Sequence, residues 1–344
     1  MPTVAVTGAD TAVGRALLQR LDADPQVTAI LGIGCDEPPM PVARLELRTV
    51  DLRDTLLPVF LDGADVVVHC AFDPDPNHAE DAAFARNVAG ARNLLAATAK
   101  VGARRLVVLS DGAVYGAHAD NAVPLTEDAR LRANPDHAPA HQALLIEELV
   151  SEWTDEHPAV DVVVLRPATV LGPGADGAAV RLLQVPRVLA VGGHAPPRQF
   201  VHVDDVASAL HLAATGSLTG PYNVAAEGWL DAGEVAALLG HRTFVVGEAV
   251  VGAVTARLWR WKLSPVPAAA IPWAMYPTVL SADRLRQAGW AAAHSNREVL
   301  REFADEHGDH IALGTAVVRR RDLWLAGFGV AGLLAGLLLG RRRD

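Results

Sequence analysis

Short runs of consecutive apolar residues, separated by longer mixed stretches, make up the first half of the chain. The runs are rich in β-branched residues and lack polar alternation, so they predict strands buried on both faces of a sheet. They are Val4 to Val6, Val27 to Ile33, Leu45 to Val50, Val66 to Cys70, Leu106 to Leu109 and Val162 to Leu165. Helices are predicted between them, near Gly14 to Leu21, Ala79 to Val101 and Gln142 to Trp153. Strands joined by crossover helices predict an α/β fold, a doubly wound parallel (Rossmann) sheet with its ligand crevice at the carboxyl ends of the strands.

Beyond about residue 170 the pattern loosens into connections rich in glycine and proline. Short elements are predicted near Arg198 to Val203, Tyr222 to Ala225 and Val254 to Trp261. We therefore expect an α/β domain over residues 1–170 and a smaller lobe over residues 171–315, interleaved with the last strands of the sheet. A terminal segment over residues 316–344 completes the chain.

This terminal segment contains 18 consecutive uncharged residues, 323–340, with arginines on both sides. As a helix the run would be about 27 Å long, close to the hydrocarbon thickness of a bilayer, so it predicts a membrane-anchor helix. The alternative is a terminal helix that packs on the body or lies in the interface. An interfacial helix, however, needs a polar face that this run lacks.

Composition places the chain among folded proteins, because 51% of its residues are hydrophobic and 20% are charged. The formal charge is −10. The terminal segment has six arginines and two aspartates, a net +4, which leaves −14 for the rest of the chain. A body this acidic repels a polyphosphate backbone, so nucleic acid is excluded as a partner.

The cysteines, Cys35 and Cys70, do not have the CxxC spacing of a redox or zinc motif, and no secretory segment precedes the first predicted strand. This usage is typical of a reducing cytosol. We therefore expect a cytoplasmic body held at the cell membrane by the terminal segment. A homodimer stays open, because helices beside such a sheet often pair.

A phosphate-binding turn is predicted at the start of the chain. The first strand runs directly into Thr7-Gly8-Ala9-Asp10-Thr11-Ala12-Val13-Gly14 and then into a helix. In this arrangement the backbone N–H groups at the helix start hold a pyrophosphate. The order of strand, turn and helix makes the dinucleotide interpretation specific.

Further motifs follow in a set order along the chain. They are Asp51 to Asp54, His69 to Ala71, Asn87 to Leu95, Ser110 to Gly116, Leu165 to Pro167 and Phe200 to Ala207. Together with the phosphate turn they closely resemble the extended short-chain dehydrogenase/reductase family, the NAD-dependent epimerase/dehydratase group. The resemblance covers about residues 3–305 and implies NAD or NADP as the cofactor.

The resemblance also implies a set of cofactor-binding residues. They are Gly8, Thr11, Ala12, Val13, Gly14, Asp51, Leu52, Cys70, Ala71, Asn87, Ser110 and Thr169. The phosphate turn would face the pyrophosphate, the Asp51 segment the adenine and the Cys70 segment the ribose. Asn87 would fasten the adjoining helix, and Thr169 would lie near the nicotinamide.

Two departures from the family pattern concern cofactor binding. Thr11 stands at the middle glycine of the turn, and its Cβ narrows the approach of phosphate to the backbone. The second predicted strand ends in Ile33-Gly34-Cys35-Asp36, so the acidic residue that usually receives the ribose 2′-hydroxyl comes late, at Asp36. No arginine stands beside it for a 2′-phosphate. The choice between NAD and NADP therefore stays open.

Two further departures concern catalysis. Asp111 replaces the Ser or Thr that hydrogen-bonds the substrate oxygen, and an ionised carboxylate cannot donate to it. The Tyr-x-x-x-Lys pair falls on Pro139 and Ala143, and a register shifted by one gives Ala140 and Leu144. Without the proton transfer of the tyrosine and the charge of the lysine, the rate falls on the order of 10²- to 10⁴-fold. Ordinary activity of this family is therefore not expected.

His141 is the candidate substitute, since histidine acts as an acid or base near neutral pH. The competing interpretation is that His137 and His141 are solvated residues around a break at Pro139. No metal site is expected on them, because the proline argues against a shared helical face and no third ligand has a suitable spacing. Tyr115 lies in a motif where the tyrosine is structural.

The sequence leaves three functions open. The first is a catalytically degenerate member that binds NAD(P) without turnover and senses, scaffolds or regulates a partner. The second is an active NAD(P)-dependent oxidoreductase or sugar-nucleotide epimerase with a substitute acid or base such as His141. The third is an interaction module that has lost the cofactor.

Overall fold

The computed structural model describes residues 1–34, 42–185, 187–308, 310–313 and 316–319. The strands are β1 (Thr3–Thr7), β2 (Ala29–Ile33), β3 (Leu45–Arg48), β4 (Val66–His69), β5 (Arg105–Leu109), β6 (Asp161–Pro167), β7 (Thr169–Leu171), β8 (Arg187–Val191), β9 (Phe200–His202), β10 (Gly220–Val224), β11 (Arg242–Val246), β12 (His310–Leu313) and β13 (Ala316–Arg319). The helices are α1 (Ala12–Ala23), α2 (Leu57–Phe60), α3 (Glu80–Phe84), α4 (Gly90–Val101), α5 (Ala138–Glu156), α6 (Ala178–Leu183), α7 (Val203–Thr215), α8 (Ala232–Leu238), α9 (Glu248–Arg260), α10 (Ile271–Met275), α11 (Asp283–Gln287) and α12 (Asn296–His307). A π-helical turn joins α3 to α4, and short 3-10 turns cover Gly112–Tyr115 and Ala268–Ala270.

Seven of the described strands form one parallel sheet in the order β10-β6-β5-β4-β1-β2-β3. This confirms the predicted α/β fold with a doubly wound parallel sheet. All six strands predicted in the first half of the chain lie in it, although their ends shift. The second strand begins at Ala29 instead of Val27, and the third ends at Arg48 instead of Val50.

The strand order reverses between β1 and β4. The chain first adds β2 and β3 on one side of β1 and then crosses to β4 on the other side. Thr7, at the end of β1, lies opposite Ile33 of β2 and His69 of β4. Because open α/β sheets bind ligands outside the carboxyl ends of the strands at such a reversal, the turn that follows Thr7 opens into the expected crevice.

Both faces of the sheet are covered by helices, as the apolar runs predict. On one face α1 and α7 pack together, and Leu17 and Leu21 of α1 and Leu210 of α7 are fully buried there. On the other face α4 and α5 contribute Leu94 and Ile146 to the core. Full burial of each leucine contributes roughly 1.5–3 kcal/mol, so both layers stabilise the sheet.

The part of the chain after residue 170 alternates between small sheets and the main sheet. Three two-stranded sheets, β7–β9, β8–β11 and β12–β13, lie outside the central sheet. Between them the chain returns through α7, which packs on the central sheet, and β10, which pairs with β6 at its edge. This part of the chain therefore contributes both to the small sheets and to the edge of the central one.

A buried polar network ties α5 to the sheet. Both carboxylate oxygens of Glu147 accept hydrogen bonds from Arg166 of β6, at 2.6–3.1 Å, and Ser110 Oγ donates to Glu147 Oε1 at 2.5 Å. Arg166 Nη1 also donates to Tyr115 Oη (2.9 Å), which in turn donates to Asn223 Oδ1 of β10 (2.8 Å). The Arg166 and Glu147 side chains are 6% and 5% exposed, so the middle of α5 is held against the sheet by a desolvated ion pair.

Some sequence predictions fall outside the described residues. They concern Cys35 and Asp36 at the end of the second strand, and the apolar run 323–340. Within the described part of the chain, no helix combines the length and apolarity needed to cross a bilayer.

The side chain of Thr11 caps α1. Its hydroxyl accepts a hydrogen bond from Gly14 N at 3.0 Å and donates to Gly8 O at 2.8 Å. We expect Thr11→Ala to lower the free energy of unfolding by about 1 kcal/mol, because a helix-start N–H loses its acceptor. Chemical denaturation measures this. Thr11→Ser keeps the hydroxyl and serves as the control; an equal loss in both variants would contradict the assignment.

The ion pair of Glu147 gives a second stability prediction. Glu147→Gln leaves the buried Arg166 cation without its counter-charge, and we expect a loss of about 3 kcal/mol in the free energy of unfolding. The matched control is Glu148→Gln, the exposed neighbour on the same helix, for which a change within about 0.5 kcal/mol is expected. Similar denaturation midpoints for the two variants would show that the pair is not stabilising.

Candidate functional site

The carboxyl edge of the sheet brings the predicted segments into one crevice. Gly8 follows β1, Cys70 and Ala71 follow β4, and Ser110 and Asp111 follow β5. These strands are neighbours in the sheet, so the segments after them lie side by side. They are the parts of the crevice that a nicotinamide, a ribose and a pyrophosphate could share.

The phosphate turn needs both of its glycines. Gly8 has a φ of +68°, and a Cβ there would lie 2.6 Å from the backbone N of Ala71. A Cβ on Gly14 would lie 2.1 Å from Gly8 O. The turn therefore packs tightly on the segment after β4, and larger residues at either position would displace it.

The turn keeps donors for an anion although Thr11 replaces a glycine. Thr11 Oγ1 takes up the N–H of Gly14 as the helix cap. The N–H groups of Ala12 and Val13, the first two residues of α1, have no intrahelical acceptor. Two N–H donors and the positive end of the helix dipole thus remain at the turn, which fits a pyrophosphate.

The residues predicted to face the adenine lie after β3. The Asp51 carboxylate is exposed and bonded to Arg53, which lowers the pKa of Asp51 to about 2. Leu52 is half-buried beside Gly90 at the start of α4, and Asn93 Nδ2 donates to Leu52 O at 2.6 Å. The segment is thereby held against α4.

In the segment predicted to face the ribose, the thiol of Cys70 is buried, and burial raises its pKa to about 12, so it is not a nucleophile. Asn87 Nδ2 donates to Gln142 Oε1 of α5 at 2.8 Å and to Asp73 O at 2.9 Å. Asn87 therefore joins the loop after β4 to α5. Thr169 begins β7 with an exposed side chain.

Asp111 is interpreted from the sequence as an ionised carboxylate, and the structure changes this interpretation. Its Oδ1 accepts a hydrogen bond from Ala113 N at 2.7 Å and caps the 3-10 turn that follows. Burial and the charge of Glu147 raise the pKa of Asp111, and the Ala113 N–H opposes this only in part. The carboxyl is thus shifted toward the neutral form, which can donate a hydrogen bond. Ser110 instead faces α5 and donates to Glu147.

At the start of α5 the structure corrects the predicted helix boundary. The helix begins at Ala138, four residues before the predicted Gln142, so the expectation of a break at Pro139 is wrong. Pro139 lies in the first turn, where its missing N–H would have no intrahelical partner in any case.

Ala143, one helical turn beyond Pro139, is 3% exposed. It lines a small cavity together with His69, Phe72, Leu109, Ser110 and Ile146. Ala143 therefore contributes a methyl group to the lining of this cavity. Neither Pro139 nor Ala143 brings an ionisable group to the crevice.

His137 is a structural residue. Its Nδ1 accepts from Ala140 N at 3.3 Å as the cap of α5, and its ring centroid lies 4.4 Å from that of Trp273. Burial lowers the pKa of His137 to about 4, so the ring is neutral at physiological pH. The interpretation of His137 as a solvated residue is therefore wrong.

His141 lies away from the vacated pair. It is two residues from both Pro139 and Ala143, so it is roughly 160° away from each around the helix axis. Its side chain is half-buried and makes no hydrogen bond to any other residue in the described part of the chain. The position on the helix does not favour the substitute role proposed from the sequence.

Within the described ranges, no other tyrosine and lysine converge on the crevice. Lys100 is exposed in the last turn of α4, which ends at the opposite edge of the sheet, and Lys262 is exposed after α9. The Tyr115 hydroxyl is engaged by Arg166 and Asn223. Of the remaining tyrosines, Tyr222 lies within β10 and Tyr276 directly follows α10.

Two contacts across the mouth of the crevice were missed by the sequence reasoning. Arg181 of α6 donates to Asp75 in the loop after β4 at 2.6 Å, and both side chains are largely buried. A Cβ on Gly174 would lie 2.3 Å from the Arg15 guanidinium, so the segment after β7 lies against α1. A lone arginine within the apolar helix pattern Ala178 to Leu183 is the signal that indicates such a buried partner.

The structure leaves the choice between NAD and NADP open, since Asp36 lies outside the described residues. Among the residues that the structure covers, no group of three or more His, Cys, Asp or Glu side chains could hold a metal ion.

The sequence matches known proteins over most of its length. Residues 4–225 match the NAD dependent epimerase/dehydratase family model. A protein of Mycobacterium tuberculosis is 31% identical over 236 residues, which are 66% of this chain and 63% of that protein. The chain thus spans less than two thirds of that relative. The L-arabinose 1-dehydrogenase (NAD(P)(+)) of Haloferax volcanii is 33% identical over 33% of this chain and 43% of its own length.

Solved structures are similar over nearly the whole described body. MoeE5 in complex with UDP-glucose and NAD has a TM-score of 0.67 and 26% identity, covering 88% of this chain and 97% of its own. The UDP-glucose 4-epimerase of Thermus thermophilus in complex with NAD has a TM-score of 0.66 and 24% identity, covering 88% and 98%. Because the identity to the Thermus thermophilus structure is below 25%, that match shows a shared fold only. Because the family match spans more than half of the chain, from the phosphate turn to the end of β10, the protein belongs to the NAD dependent epimerase/dehydratase family.

Proposed function

We propose that this protein binds NAD(P) in the crevice without the turnover ordinary for its family, and that it acts as an NAD(P)-responsive sensor, scaffold or regulator of a partner. The start of α5 carries the proposal. Pro139 and Ala143 stand there in a well-packed first turn and bring neither a phenol nor an ammonium group. The fold around them is intact, so the loss concerns the chemistry and not the scaffold.

The proposed cofactor contacts use backbone more than side chains. The N–H groups of Ala12 and Val13 would hold the pyrophosphate, and Gly8 and Gly14 let the turn approach it. The segments after β3 and β4 would line the adenine and ribose, as the family resemblance implies. Thr169 would lie at the nicotinamide.

A bound nicotinamide would supply hydride transfer, but the chain would have to move the accompanying proton. The groups nearest to the vacated pair are poorly suited to it. Ser110 is committed to Glu147, and His69 has a pKa lowered to about 4 by burial. An uncatalysed proton transfer would leave a rate on the order of 10²- to 10⁴-fold below that of a complete site.

A second candidate function rests on Asp111. Burial raises the pKa of Asp111, which moves this carboxyl toward the protonated form that an acid of an active oxidoreductase or epimerase needs. This alternative needs no tyrosine but leaves the missing lysine charge unreplaced. It favours Asp111 over His141 as the substitute group.

The run 323–340 supports a further part of the proposal, attachment of a cytoplasmic body to the cell membrane. The division into domains at residues 170 and 315, and pairing into a homodimer, are proposed on the sequence grounds given above.

Cofactor binding is tested by calorimetric titration of the full chain with NAD, NADH, NADP and NADPH. We expect heat with at least one of them. Gly14→Ala should weaken binding at least tenfold, because its Cβ would lie 2.1 Å from Gly8 O and displace the turn. Gly252→Ala is the matched control, since a Cβ there meets nothing within 4 Å.

Thermal unfolding without ligand, measured on the same two variants, separates a lost site from a lost fold. The absence of heat with all four dinucleotides would refute cofactor binding and leave the interaction module as the function.

Catalysis is tested by single-turnover hydride transfer to NAD(P), with UDP-glucose, UDP-glucuronic acid and L-arabinose as a first panel. We expect no transfer by the native chain. Pro139→Tyr/Ala143→Lys, which restores both groups, should raise the rate at least 10²-fold over that background.

Turnover by the native chain would overturn the proposal of lost catalysis. Asp111→Asn keeps the acceptor for Ala113 N but has no proton to transfer, so a loss of that turnover would assign the acid role to Asp111. A loss in His141→Ala alone would assign the role to His141.

A further inference from the structure

Helix α9 has apolar side chains on two sides. In the part of the chain that the structure describes, other residues cover only one of these sides. Val251 and Thr255 face inward, where Val251 packs with Val191 and Val246. On the outer side, Val250 and Val254 are 51% and 36% exposed. A solvated helix face is normally polar, so this outer face is unusual.

The outer apolar face continues beyond the helix. Positions 250, 254, 257 and 261 follow each other at helical spacing, and the Trp261 ring at the end of this row is 55% exposed. The Arg257 guanidinium lies over that ring, 4.5 Å from its centroid. Leu263 is 57% exposed, and Phe244 of β11, just before the helix, is 56% exposed.

The charge of this region is opposite to that of the protein. From residue 249 to residue 282 the sequence has no Asp or Glu, whereas Arg257, Arg260 and Lys262 give it a net +3 in a chain of −10. The three cations are all exposed. They interleave with the exposed ring and aliphatic side chains of the same face.

We propose that this face, formed by Val250, Val254, Arg257, Arg260, Trp261, Lys262 and Leu263, lies on an anionic lipid bilayer. Aliphatic groups with a tryptophan and basic side chains are the combination that sits at a headgroup boundary. Contact buries the apolar side chains and places the cations among the lipid phosphates. Each cation near such a surface strengthens the contact about fivefold, so three of them strengthen it roughly 100-fold.

The combination of apolar and basic groups favours a bilayer over the other occupants. A second copy of this chain is strongly acidic overall but offers no reason for the exposed aliphatic side chains to match it. A nucleic acid would use the cations but not Val250, Val254 or Leu263. The bilayer surface uses both sets of groups.

The contact adds to the terminal anchor proposed above and is tested separately from it. An environment-sensitive dye is attached to Leu263→Cys of the full chain, and the same dye on Ser217→Cys, an exposed position outside the face, is the control. Vesicles of phosphatidylcholine, with or without about a third of phosphatidylserine, carry nitroxide-labelled lipids that quench a dye in contact with them.

We expect quenching at position 263 and not at position 217, stronger with phosphatidylserine and reduced at high salt. A terminal anchor is not released by salt, so flotation of the protein with vesicles after a salt wash reports the anchor alone.

The charge-reversal variant Arg257→Glu/Arg260→Glu/Lys262→Glu should abolish the quenching at position 263. The matched control is Arg20→Glu/Arg130→Glu/Arg301→Glu, with the same change in charge at three arginines elsewhere, and it should keep the quenching.

Four results would overturn the proposal. They are equal quenching at the two dye positions, equal effects of the two triple variants, displacement of the vesicles by a short single-stranded RNA, and a dye at position 263 that is already shielded before vesicles are added. The last would mean that the terminal segment or a second copy covers the face.

Discussion

The ion pair between Glu147 and Arg166 is the interaction on which the site depends. It is bidentate, almost fully desolvated, and joined to Ser110, directly after β5, and to Tyr115 beyond it. A buried pair of this kind contributes little net stability over an apolar pair of the same shape, but the loss of one partner is costly. It therefore acts mainly as a constraint: it sets how α5 meets the carboxyl edge of the sheet.

Other contacts hold the first half of α5 in the same place. Asn87 and Gln142 tie the same helix to the loop after β4, and Pro139 and His137 make a stable first turn. Each of these contacts positions the stretch where the family pattern has its tyrosine and lysine.

Other polar groups around the crevice have structural roles. Thr11 caps α1, Asp111 caps a 3-10 turn and the Cys70 thiol is buried. The phosphate turn differs, because two of its N–H groups have no acceptor within the helix. These two N–H groups are donors that an anion in the crevice can use. The environment of Asp111 raises the pKa of its carboxyl, which favours the protonated form.

The sequence by itself determined the sheet, the order of its strands along the chain and the lack of an ionisable group at Pro139 and Ala143. These follow from local patterns: runs of apolar residues bury strands on both faces, and a side chain without an ionisable group lacks one in any fold. The phosphate turn was also predictable, because glycine spacing between a strand and a helix is a local feature.

Tertiary structure decided the rest, because it depends on neighbours that are distant along the chain. Burial by surrounding residues shifts the pKa values of Asp111 and His137 in directions that their flanking residues do not indicate. The start of α5 at Ala138 depends on the cap by His137 and on the packing of His137 against Trp273. The exposed outer side of α9 follows only from the structure, which shows that the side with Val251 packs on Val191 and Val246 and that the side with Val250 and Val254 is exposed.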